Sequence, residues 1–196
     1  MARLEIRVLG GFDVSLAGAG TPLILPTRKA QGLLAYLALS PGQRHPREKL
    51  TSLLWGELPA SPARNNLRQT LFALRRAFEG IEPSPLSLEA DTVALEPGAV
   101  EIDALQFQQG IAAASPSTLE DAVLLYRGDL LAGLRVQSEP FEEWLLAERE
   151  RLRELALEAL ARLLAHRRQG NDLEAAVQTA LRLLALDPSR SPCTGH

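Results

Sequence analysis

The amino-acid sequence predicts an α+β N-terminal part followed by an all-helical part. Three patterns indicate this fold class. Residues 3–26 alternate apolar and polar side chains, residues 27–78 follow a helical period and precede a hairpin pattern, and residues 103–187 are helical throughout. With 196 residues, 46% of them hydrophobic and 23% charged, the chain can bury one or two packed cores.

The N-terminal residues predict a small antiparallel β-meander. Residues 4–8 alternate apolar and charged side chains, and residues 12–16 alternate again after the Gly10-Gly11 turn. Leu23 and Leu25 form a third short run before Pro26. We expect three strands that are buried on one face.

Three amphipathic helices are predicted next. The first follows an N-cap at Thr27 and stops at Ser40, and the second fits residues 46–55, with Pro46 near its first turn. The third, residues 61–79, starts at Ser61-Pro62 and carries one buried stripe, formed by Leu67, Leu71, Leu74 and Phe78.

A hairpin is predicted after the third helix. Residues 86–88 and 93–95 are strand-like and flank a turn at residues 89–92. Strand patterns then give way to helical ones at Glu96-Pro97-Gly98, so we place a boundary between residues 1–97 and residues 98–196.

The second part predicts four helices. They comprise residues 104–114, a helix opened by a capping box at Ser117 and Glu120, the long stretch 140–169, and a last helix that ends at Asp187-Pro188. The last helix resembles half of a tetratricopeptide unit, and a plain amphipathic helix is the alternative.

Several classes of function are disfavoured. The sequence contains no phosphate-binding glycine loop, no nucleophile elbow and no cysteine-rich metal motif, so we expect no enzyme activity, no metal and no cofactor. Cys193 and His45 are predicted to be bystanders, His45 simply flanking a helix. Because no apolar run is long enough for a bilayer and residues 1–8 do not form a signal sequence, we expect a cytoplasmic protein without membrane contact.

Charge is concentrated in one segment. The net charge is −3, but residues 27–78 contain nine basic and two acidic side chains. The third helix has four arginines between residues 64 and 76, and no acid before Glu79. A solvated helix face normally mixes both signs, so this pattern favours a polyanionic partner.

The predicted outer face of the third helix matches the chemistry of double-stranded DNA. At about 100° per residue, the side opposite the buried stripe presents amide, guanidinium and aromatic groups that suit base edges, from Asn65, Gln69, Phe72 and Arg76. Flanking cations are predicted to contact phosphates, namely Arg28, Lys29, Arg64, Arg68 and Arg75. Arg44, Arg47 and Lys49 extend this basic surface.

Two alternatives stay open at this point. Arg64 and Arg68 could form ion pairs with Glu57 or Glu48, with Phe72 packed beneath the hairpin. The protein could also be an interaction adaptor, in which the helical part binds a partner and the basic part is a docking surface.

Several strings resemble the Streptomyces antibiotic regulatory protein (SARP) type of transcriptional activator. In the N-terminal part they are residues 4–14, 25–30, 33–37, 53–55 and 66–77, and in the helical part residues 102–107, 126–131 and 141–149. The order of the two parts is also that of the family.

The resemblance implies an OmpR-type winged helix-turn-helix (β-meander, three helices, C-terminal hairpin) followed by an all-α helical-repeat domain, the bacterial transcriptional activator domain. It implies that the third helix enters the major groove, and that the helical part supports self-association, with a homodimer left open, and contacts RNA polymerase. The sequence departs from the family pattern at two places, the hairpin tip and the end of the helical domain. The hairpin tip, residues 89–92, is acidic, and the helical domain ends soon after Pro188, as if truncated.

Overall fold

The computed structural model describes residues 3–113 and 115–186. Its N-terminal half contains strands β1 and β2, helix α1, strand β3, helices α2 and α3, and strands β4 and β5. In order, these are Leu4–Arg7, Asp13–Leu16, Arg28–Ala38, His45–Pro46, Arg47–Trp55, Ala60–Ala77, Leu86–Leu88 and Thr92–Leu95.

The second half opens with a 3₁₀ turn at Pro97–Ala99 and continues through strand β6 and helices α4 to α7. These are Val100–Ile102, Asp103–Ala113, Pro116–Leu125, Glu139–Gln169 and Leu173–Leu186. The predicted helix stop at Asp187-Pro188, and Cys193, lie outside the described residues.

The first sheet has the order β2-β1-β6 and differs from the predicted meander. β2 pairs antiparallel with β1 as expected, but the third strand is β6, which lies parallel to β1 with Leu4 opposite Val100. The strand predicted at Leu23 and Leu25 is wrong. That segment forms an isolated bridge to β2, with Pro22 opposite Ser15 and the N–H of Leu23 donating to the carbonyl of Val14 at 2.7 Å, and it does not continue into a strand.

The second sheet, β3-β5-β4, contains the predicted hairpin. β4 and β5 pair antiparallel from Leu86 opposite Leu95 to Leu88 opposite Val93. The sequence did not predict β3, in which His45 lies opposite Val93.

Side-chain hydrogen bonds to free backbone N–H groups mark the starts of helices α1 and α5. Thr27 caps α1 as predicted, because its hydroxyl accepts from the N–H of Ala30 at 3.0 Å. The capping box predicted at Ser117 and Glu120 is wrong. The box of α5 is formed by Ser115 and Thr118, so Pro116 takes the first helical position, which needs no N–H.

The two halves are joined by one continuous apolar core. Leu9 forms an isolated antiparallel β-bridge with Leu130, and the N–H of Leu131 donates to the carbonyl of Val8 at 2.8 Å. A Cβ at Gly32 of α1 would lie 2.9 Å from Cγ2 of Val136, so the helical half packs closely on α1. The DNA-facing elements predicted from the sequence are therefore held against the helical half by direct packing.

A buried carboxylate reinforces this joint. Asp103, at the start of α4, accepts from the backbone N–H groups of Val8 at 2.9 Å and Leu9 at 3.1 Å, and from Nη2 of Arg127 at 3.2 Å. Burial raises the pKa of Asp103, while the backbone hydrogen bonds and the positive charge of Arg127 act in the opposite direction.

Candidate nucleic-acid interface

The candidate interface is built on α3, which packs against α1 and α2. Its predicted stripe is confirmed, since Leu67, Leu71, Leu74 and Phe78 are all buried. This leaves the opposite side of the helix available to solvent.

The outer face of α3 carries the side chains that the sequence predicted there. Phe72 is 66% exposed, Gln69 and Arg76 are exposed, and Asn65 is half-buried. Arg64, Arg68 and Arg75 are exposed as well. Phe72 therefore does not pack beneath the hairpin, and that alternative is excluded.

Arg64 and Arg68 of α3 do not form the ion pairs with Glu57 or Glu48 that the alternative interpretation required. Arg68 donates from Nη2 to Oδ1 of Asn65 at 2.7 Å, and Glu57 pairs with Lys29. Within residues 3–113 and 115–186, neither Arg64 nor Arg68 forms a salt bridge. Their charge is not neutralised by neighbouring carboxylates.

A basic cavity lies beside the N-terminal half of α3. Its volume is about 720 Å³, and its wall contains three guanidinium groups and no carboxylate, the lining residues being Arg47, Ser61, Pro62, Arg64, Asn65, Leu67 and Arg68. No side chain caps the start of α3, so the first N–H groups of the helix add positive potential at the same end. This environment favours an anion.

The C-terminal half of α3 borders a second cavity of about 460 Å³. Its lining includes Phe72, the cations Arg75 and Arg76, and the carboxylates Glu79 and Glu82. The mixed charge makes it a weaker anion site than the cavity at the start of the helix.

The acidic hairpin tip is engaged by the basic surface. Arg44 forms an ion pair with Glu89, and Arg47 donates from Nη2 to the carbonyl of Glu89 at 3.0 Å. The N–H of Arg47 donates to the carbonyl of Asp91 at 2.9 Å. The tip is thereby held against the start of α2, beside the basic cavity.

Lys29 does not join this surface. Its ammonium donates to the carbonyls of Leu54 and Gln137 and to Glu57, and its side chain is only 22% exposed. We therefore withdraw the predicted phosphate contact for Lys29, since its three N–H groups already have acceptors. Gln137 belongs to the helical half, so no local pattern around Lys29 indicates this contact. Arg28, the neighbouring residue, is exposed.

His45 is buried rather than a mere flanking residue. It is 2% exposed, and its Nε2 lies 3.0 Å from Oγ of Ser40. Burial lowers the pKa of His45, and the charge of Lys49 lowers it further. His45 therefore supports the β3–β5 pairing and lies outside the candidate interface.

The described part of the chain contains neither a candidate metal cluster nor a candidate membrane-spanning helix. In residues 3–113 and 115–186, no group of three or more His, Cys, Asp or Glu side chains is arranged to hold a metal ion. Each helix in these ranges is too short or too polar to cross a bilayer.

Comparison with known proteins identifies the class. The bacterial transcriptional activator domain matches residues 98–196, half of the chain. The chain therefore belongs to the bacterial transcriptional activator domain family, a family of transcription regulators. The SARP-type resemblance predicted from the sequence is confirmed.

A solved structure shows the same fold. Mycobacterium tuberculosis EmbR, in complex with a low-affinity phosphopeptide, is similar with a TM-score of 0.65 and 20% sequence identity. The match covers 99% of this chain and 63% of that one, so the chain spans less than two thirds of the EmbR structure. The comparison with curated proteins gave no match.

Proposed function

We propose that this protein is a sequence-specific activator that binds double-stranded DNA with α3 in the major groove. In this proposal residues 1–97 are an OmpR-type winged helix, with β4 and β5 as the wing. One observation carries the proposal: the outer face of α3 exposes amide, guanidinium and aromatic groups with no carboxylate between Glu57 and Glu79. A helix with such a face suits the depth and chemistry of the groove.

The proposed contacts divide by the chemistry of each side chain. Gln69 and Arg76 carry groups that bond base edges, and the exposed ring of Phe72 can meet a thymine methyl. Arg28, Arg64 and Arg75 are proposed to contact phosphates and fix the register of the helix. The hairpin tip is proposed to act through Arg44 and Arg47, whose guanidinium groups lie beside it.

The helical half is proposed to contact RNA polymerase or a second copy of the chain. Its last helix, α7, exposes large apolar side chains along one side, at Leu173, Val177, Leu181 and Leu184. Exposed apolar rows of this kind commonly mark interaction surfaces. We propose residues 98–196 as this interaction domain and the cytoplasm as its location.

The test is selection of bound duplexes from random DNA, followed by competition binding at about 150 mM salt. We expect one motif to be enriched, and Arg64→Ala to weaken binding to it. Arg168→Ala is the matched control, because Arg168 is exposed near the C-terminal end of α6. The other end of α6 is the one that lies beside α2, where Oγ of Ser138 donates to the carbonyl of Leu53. Enrichment of no motif, with capture of a protein partner through the basic face, would support the adaptor instead.

A further inference from the structure

Asn65 and Arg68 form a pair one helical turn apart on the outer face of α3. Nη2 of Arg68 donates to Oδ1 of Asn65 at 2.7 Å. Because a guanidinium has only donors, the amide must turn its oxygen towards Arg68 and its NH2 group away. The hydrogen bond therefore fixes the orientation of both side chains.

The pair presents mainly donors to a ligand. The amide NH2 group of Asn65 and the remaining N–H groups of Arg68 are not used in their mutual bond, and both residues line the carboxylate-free cavity at the start of α3. The one strong acceptor of the pair, Oδ1, already accepts from the guanidinium of Arg68 and lies next to its positive charge.

The bases differ in the hydrogen-bond donors and acceptors that they present to such a pair in the major groove. Adenine offers one acceptor and one donor, and its amino group would meet the positive charge of Arg68 beside an oxygen that already accepts from that guanidinium. Guanine offers two acceptors, O6 and N7, and no donor, while cytosine offers a donor. A group of donors with net positive charge therefore matches guanine.

We propose that Arg68 recognises a guanine and that Asn65 is the positioning residue that orients its guanidinium. This inference rests on the proposed DNA binding and specifies one base of the site. It replaces two expectations from the sequence: that Arg68 contacts only phosphate, and that Asn65 contacts a base edge independently.

The experiment compares bound-DNA selection by the unsubstituted protein, Asn65→Ala, Arg68→Ala and the double variant, followed by affinity measurements on the selected duplex and its guanine-to-adenine counterpart. Asn66→Ala is the matched control, since it removes an amide from the adjacent position of the same helix. Circular dichroism and urea unfolding check that each variant is folded.

We expect a guanine position whose preference over adenine falls about 5- to 150-fold in Arg68→Ala and in part in Asn65→Ala. The double variant should lose no more than Arg68→Ala, because Asn65 acts through Arg68. Asn66→Ala should keep the preference.

Three results would overturn the inference while leaving DNA binding intact. One is an adenine preference lost only in Asn65→Ala. Another is strictly additive effects of the two substitutions. The third is an equal loss of affinity on all sequences in Arg68→Ala. Enrichment of no sequence by the unsubstituted protein would instead overturn the proposed function itself.

Discussion

The ammonium of Lys29 lies 3.0 Å from the carbonyl oxygen of Gln137, 108 residues further along the chain. The same ammonium binds the carbonyl of Leu54 at the end of α2, and Oγ of Ser138 donates to the carbonyl of Leu53 at 2.7 Å. The helical half thus supplies acceptors and donors at the end of α2, immediately before the turn into α3. The orientation of α3 is consequently tied to the helical half.

Replacing Lys29 should therefore affect stability more directly than DNA affinity. Lys29→Met leaves the Gln137 and Leu54 carbonyls without their charged donor, and we expect the free energy of unfolding to fall by about 1–3 kcal/mol. Urea unfolding of the variant and of Arg28→Met, its neighbour on the exposed side, measures the difference. If Lys29→Met unfolds like the unsubstituted protein and loses as much DNA affinity as Arg28→Met, Lys29 contacts DNA and does not join the two halves.

Arg64→Ala should weaken binding to all duplexes alike. Its guanidinium is exposed beside the basic cavity, where it is placed to displace counterions from the DNA backbone. We expect the log–log dependence of affinity on salt to lose about 0.9 in slope for this one phosphate contact. Fluorescence anisotropy on selected and scrambled duplexes between about 50 and 200 mM salt tests it. An unchanged slope would show that Arg64 contacts no phosphate.

Gln69→Ala should relax sequence preference with little effect on non-specific affinity. The exposed amide of Gln69 has no charge, so its removal leaves the electrostatic attraction unchanged. We expect discrimination at one base pair to fall by about 1–3 kcal/mol. Competition with single-base variants of the selected duplex measures this. Retention of every base preference by the variant would exclude Gln69 from base recognition.

Acidification should destabilise the protein through His45. Since the pKa of the buried imidazole is lowered from its ordinary 6.5, the unfolded chain binds a proton more readily than the folded one. The stabilisation from the neutral His45 is therefore complete above about pH 6.5, the pKa of the unfolded chain. It is lost as the pH falls from there towards the lower pKa of the folded protein. Thermal unfolding between about pH 7.5 and 5 should show a shallower decline for His45→Gln than for the unsubstituted protein. Parallel pH profiles would contradict this role.

Local patterns were sufficient for the helices and the hairpin. The N-cap at Thr27, the buried stripe of α3 and the outward position of Phe72 all follow from spacing along one element, and the structure confirms them. Such features depend on helical period and capping chemistry, which are fixed by neighbours in sequence.

Features that depend on distant pairing could not be predicted in this way. Strand β6 is only three residues long and is recognisable only from its parallel partner β1. Lys29 is a lysine at the start of a helix, which is a typical phosphate ligand in sequence terms. Its hydrogen bond to the carbonyl of Gln137, a residue distant in sequence, directs its ammonium away from the interface. The hydrogen bond between Asn65 and Arg68 depends on rotamers that helical spacing permits without requiring.

The most direct measurement is the ratio of dissociation constants for the selected duplex and a scrambled duplex of equal length, at about 150 mM salt. We expect the selected duplex to bind at least about 10³-fold more tightly, and we expect Gln69→Ala to lower this ratio while Arg168→Ala leaves it unchanged. Equal affinity for the two duplexes would contradict sequence-specific binding by α3.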